Sequence, residues 1–158
     1  MNETWQPNFD FYETHKGQDR AVVTLDLGAA AHAPLATHPV RLQFRVKMRG
    51  AQENGLRSAE EAPALFALED QLVEAACSKL QAIYTGRVVS QGFTEFSFYV
   101  PAAQREQLET AGAEVGPTAP YELEWLVEDD PDWSVYEELY PNRCDGRTPI
   151  TSCSPCSI

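Results

Sequence analysis

Residues 40–49, VRLQFRVKMR, alternate apolar and polar side chains through five full periods. A period of two places Leu42, Phe44, Val46 and Met48 on one face of a strand, and Arg41, Gln43, Arg45, Lys47 and Arg49 on the other. A chain containing this segment must build a sheet with one face in a core and one face in water.

Other segments supply the remaining elements. NFDFYET and RAVVTLDLG, joined by HKGQD, read as an N-terminal β-hairpin with Val23, Leu25 and Leu27 on one face and Val22, Thr24 and Asp26 on the other. GAAAHAPLATHP reads as a loop. Residues 58–84 read as a long helix with Leu65, Leu68, Leu72, Ala76, Leu80 and Ile83 as its apolar stripe. Ser58 and Glu61 have the spacing of a capping box, and Pro63 places the first regular turn nearby. GRVVSQGFTEFSFYVP reads as a second hairpin turning at residues 90–92, with Phe96, Phe98 and Val100 inward and Glu95, Ser97 and Tyr99 outward. A short helix ending at Gly112 follows, and then YELEWLVE, a strand with Leu123, Trp125 and Val127 inward.

From residue 40 the order is strand, helix, strand, strand, helix, strand. We therefore expect an α+β fold: a ferredoxin-like split βαβ antiparallel sheet with an N-terminal hairpin and helices packed on one face. In that topology the Arg41/Arg45/Lys47/Arg49 row lies beside Glu122, Glu124 and Glu128, and the two rows neutralise each other. The expected domain is residues 1–141, with 142–158 a cysteine-containing tail.

The stretch EDDPDWSVYEELYP reads as a capped short helix. Asp129 or Asp130 caps it, Pro131 opens it, and Trp133, Tyr136 and Tyr140 share one face that clasps the core. A helix this short is unstable alone, so its aromatic face must bury against the sheet or the long helix.

The net charge of −12 divides into +1 over residues 1–57 and −13 over 58–158. Nucleic-acid affinity comes largely from Lys and Arg displacing counterions, so direct nucleic-acid binding is not expected and a basic protein partner is permitted. No apolar run approaches the length of a membrane span, and the start lacks a secretory signal pattern, so no membrane association and a cytoplasmic location are expected.

The sequence carries no nucleophile elbow, no H-E-x-x-H, no phosphate-binding glycine loop and no cofactor motif. His15, His32 and His38 fall in turns or loops. Glu69, Asp70 and Glu74 read as the solvated edge of the long helix, Cys77 as buried packing, and Arg87 as either an anion holder or, more ordinarily, a partner of Glu95 across the hairpin. Cys144, Cys153 and Cys156 are three thiols where a structural zinc site needs four ligands, so no metal is expected there.

DPDWSVYEELYP is similar to the closing motif of an uncharacterised bacterial family, domain of unknown function 695. DLG at 26–28, AP at 33–34, NGL at 54–56, EE at 60–61, LED at 68–70, YTGRV at 84–88 and FSFY at 96–99 extend the resemblance over residues 5 to 141. That family is discussed alongside the regulator of ribonuclease E activity B. The resemblance implies an α+β fold and no known chemistry. Family members continue with a charged, helix-like tail, where this chain has NRCDGRTPITSCSPCSI. The resulting expectation is a non-enzymatic protein-binding or regulatory domain. The alternative is a small enzyme or ligand-binding protein using Arg41, Arg45, Tyr99 and Glu124 on the open sheet face.

Overall fold

The computed structural model describes residues 6–111 and 121–141. The cysteines at 144, 153 and 156, and Gly112, lie outside them. The elements are β1 (Phe9–Lys16), β2 (Asp19–Asp26), β3 (Val40–Lys47), α1 (Ala62–Lys79), β4 (Ile83–Ser90), β5 (Phe93–Val100), α2 (Arg105–Ala111), β6 (Leu123–Asp129) and α3 (Ser134–Leu139). All six strands form one antiparallel sheet in the order β1-β2-β4-β5-β3-β6. The fold is α+β.

β3 lies inside the sheet, between β5 and the edge strand β6. Leu42, Phe44 and Val46 pair with Phe98, Phe96 and Thr94 of β5, and with Val127, Trp125 and Leu123 of β6. On this side Leu65, Leu68, Leu72 and Ala76 of α1 and Leu108 of α2 bury against the sheet in one cluster. Together they form the main core, because the leucine stripe of α1 matches the apolar row of β3. The β4–β5 turn has positive φ at Gln91 and Gly92, which suits a two-residue hairpin.

Several expectations are corrected. The helix expected over 58–84 is shorter: it ends at Lys79, and Ile83 opens β4. Ser58 Oγ accepts the Glu61 amide, but Glu61 does not reciprocate. Its carboxylate instead accepts Arg49 N (2.6 Å), Gly50 N (2.7 Å) and the Tyr121 hydroxyl (2.5 Å), because the end of β3 leaves amides with no ladder partner. Residues 27–31 form a 3-10 turn capped by Asp26, which takes Leu27 out of the expected strand and fills the start of the expected loop. His15 lies in β1 and not in a turn. Cys77 is exposed, not buried packing. Trp125 is 39% exposed, because β6 is an edge strand and the helices do not reach fully over it.

The opposite side of the sheet is not uniformly wet. Tyr12, Val23, Leu25, Ala29, Leu35, Tyr99, Trp133 and Tyr136 make a second buried cluster there. The helices therefore do not all share one face: α1 and α2 cover one side, and α3 caps the other. Tyr99 and Ser97, expected to face water, are buried beneath this cap or beside it. No helix among the described residues is long and apolar enough to cross a membrane.

Candidate functional site

The four residues expected to make a site on the open face are in register. Arg41 stands between Tyr99 and Glu128, and Arg45 between Glu95 and Glu124. Their environments nevertheless differ.

Arg41 is buried. Its Nε donates to Glu128 Oε2 at 2.8 Å, and its Nη1 donates to Gln43 Oε1 at 2.9 Å. Tyr99 is fully buried, and its hydroxyl donates to Asp130 Oδ2 at 2.7 Å. Burial, followed by the neighbouring Asp130 carboxylate, pushes the Tyr99 phenol far above its ordinary range. Tyr99 is consumed in joining the sheet to α3, and Arg41 in tying β3 to β6 within the sheet.

Asp130 organises that junction. Its Oδ1 accepts the Ser134 amide and hydroxyl, and its Oδ2 accepts the Val135 amide and the Tyr99 hydroxyl. The helix starts at Ser134, later than expected. Pro131 and Asp132 form a turn, and Trp133 at φ 53° makes the entry. The left-handed conformation at Trp133 aims its indole onto Tyr99 of the sheet, and its Nε1 donates to the His38 carbonyl in the loop before β3 at 2.8 Å. Tyr136 donates to the Asp26 carbonyl at 2.7 Å. Tyr140 stays partly exposed at the C-cap, because the chain turns extended there.

Arg45 and Glu124 remain at the surface. Arg45 lies 3.2 Å from Glu95 and 3.5 Å from Glu124, with its guanidinium 3.6 Å above the Phe93 ring. The hollow at Gln43, Arg45, Glu124, Trp125 and Leu126 holds about 90 Å³. That is shallow for a substrate site.

A larger concavity adjoins it on the same side, missed by the sequence reading. A groove of about 400 Å³ runs between β1 and α3. Ala21, Val23 and Val88 lie along its floor; Tyr12, Val135 and Leu139 wall it; Glu95 and Glu138 bring carboxylates to it. Small Ala21 in RAVV and the i, i+4 pair Val135/Leu139 are the sequence features from which it could have been read.

Glu69 and Arg87 also depart from expectation. Arg87 pairs with Glu69 of α1 at 2.7 Å and not with Glu95, because the register sets Arg87 opposite Phe96 on the helix side. Tyr84 donates to the same Glu69 carboxylate. Glu69 is therefore part of the packing and not a solvated edge. Among the described residues no group of three or more His, Cys, Asp or Glu could hold a metal ion.

The model of the family described as "Family of unknown function (DUF695)" matches residues 7–140. The chain belongs to this family. No curated protein and no solved structure matches it. The span matched to DUF695 runs from before β1 to the end of α3, so the junction at Asp130 and the groove walled by α3 both lie within the DUF695 domain.

Proposed function

We propose that this DUF695 domain is a non-enzymatic protein-contact module of bacterial cytoplasm, regulating a basic partner by occupying it. Its relation to the regulator of ribonuclease E activity B belongs to the same proposal. The observation that carries the reading is the pairing of Arg45 with Glu95 and Glu124 over a hollow of only about 90 Å³. Charges cancelled on a shallow surface suit protein contact better than catalysis. The groove beside them, with Glu95 and Glu138 at its margin, is the surface assigned to the partner.

The ferredoxin-like description of the sheet is proposed with it. It is supported by the order β4-β5-β3-β6, by the antiparallel neighbours β3 and β6, and by α1 and α2 sharing one side.

One observation favours a second reading, a small-molecule binder. The groove's volume falls within the range of about 300–1,000 Å³ common to ligand sites.

Affinity capture from native lysate, followed by mass spectrometry, tests the first reading with Val135→Trp as a groove-filling control. A protein retained by the wild type and lost by Val135→Trp supports it. Equal capture by both removes the groove from the contact, and no captured protein at any salt concentration defeats the reading.

A further inference from the structure

We propose that the cleft between α1 and the β1–β2 hairpin is a second docking surface, for a basic amphipathic peptide segment of another protein. It rests on the protein-contact reading above for the class of partner, but on a different part of the molecule.

Six strands are wider than the layer of α1 and α2, and the hairpin projects beyond α1. The side chains of β1 that point toward the helix side therefore lack a cover. Phe9 and Phe11 are 44% and 39% exposed there, and Phe66 of α1 is 43% exposed. The cleft they adjoin holds about 520 Å³ and is lined by Phe9, Thr24, Val73 and Tyr84, among others. Register carries Phe11 to Thr24, and Thr24 to Arg87, whose guanidinium lies 5.6 Å from the Phe66 ring centroid. The three phenylalanines thus belong to one continuous surface. Exposed aromatic groups gathered round one concavity are a marker of protein contact.

Charge selects the occupant. The cation on the cleft's floor is already answered, since Arg87 is held by Glu69 at 2.7 Å. Asp70 and Glu74 stand on the α1 wall one helical turn apart and exposed. Neither has a basic side chain within ion-pair distance among the described residues. Arg57 covers the Phe66 ring at 4.6 Å, so the cleft is positive at that end and negative toward Glu74. A segment with large apolar side chains for the phenylalanines and Lys or Arg for Asp70 and Glu74 complements both features. A second copy of this chain does not, because a chain of net charge −12 would set acid against acid.

Selection of short random peptides displayed on phage against the full chain tests the assignment. Enriched sequences should combine Lys or Arg with large apolar residues. They should bind about tenfold more weakly to Asp70→Lys/Glu74→Lys and to Phe66→Ala, all exposed positions that leave the core intact. Val135→Trp, in the other groove, should leave binding unchanged. Acidic enriched peptides, or equal binding to the α1 variants, would overturn the inference. Loss confined to Val135→Trp would overturn it too, while leaving the protein-contact reading standing. No enrichment, with a partner still captured through the sheet groove, would defeat this inference alone.

Discussion

The indole of Trp133 lies flat on the ring of Tyr99, with centroids 4.2 Å apart and planes 11° from parallel. This stack joins α3 to the centre of the sheet, and Trp133 Nε1 is satisfied by the His38 carbonyl. Trp133→Ala removes a fully buried side chain and leaves that carbonyl without its donor. The expected loss is about 3–5 kcal/mol, a large part of a domain's stability. Urea unfolding reads it directly, and a midpoint equal to wild type would mean that the clasp does not hold the fold.

Asp130→Asn should cost stability in a pH-dependent way. Burial alone would raise the Asp130 carboxyl, but hydrogen bonds from Ser134, Tyr99 and Val135 outweigh it and hold the group below its ordinary value of 3.8. A carboxyl depressed in the folded state contributes stability in full above its unfolded value and loses it as pH falls through the folded one. The wild type should therefore exceed Asp130→Asn by about 1–3 kcal/mol at neutral pH. The gap should close in acid below about pH 4. Parallel unfolding curves at neutral and acid pH check this; a gap constant across pH would contradict it.

His38 should make the fold sensitive to mild acid. The ring is buried, with Nε2 bonded to the Gln81 carbonyl at 2.9 Å and Nδ1 beside Thr37 Oγ1. Burial lowers the ring below its ordinary 6.5, outweighing the Gln81 bond, which raises it. The unfolded chain then binds the proton first, so stability is fully present above 6.5 and declines as pH drops from there toward the folded value. Melting temperatures measured from pH 8 downward should fall earlier for wild type than for His38→Gln. Parallel profiles would remove His38 as the cause.

Gly86→Ala should be among the most damaging single-methyl additions. Gly86 sits where the β4–β5 register shifts, at φ 154°. A Cβ there would run into the Thr24 carbonyl oxygen and stand 3.0 Å from Leu25 Cα, both backbone atoms of β2 that cannot rotate away. The expected cost is about 3 kcal/mol from strain and overpacking. Chemical denaturation measures it, and a near-neutral variant would show that β2 and β4 separate easily.

Local periodicity determined much of this protein. The alternation of residues 40–49 made β3, and the leucine stripe of α1 reached the same core row, because side-chain spacing alone decides which groups share a face. The sequence could also place Asp130 at the start of a short helix, since capping needs only neighbours a few residues away. What covers a face is a different matter, because it depends on strand order and on where a distant segment returns. Arg41 and Tyr99 alternate as if exposed, yet α3, which begins at Ser134, arrives from much later in the chain and buries Tyr99. Trp125 alternates as if buried, yet β6 takes the sheet's edge, where less packs against it. The partners of Glu61, Glu69 and Arg87 likewise come from remote elements, and only the tertiary fold sets those distances. Period is a local property of the chain; cover and partnership are properties of its packing.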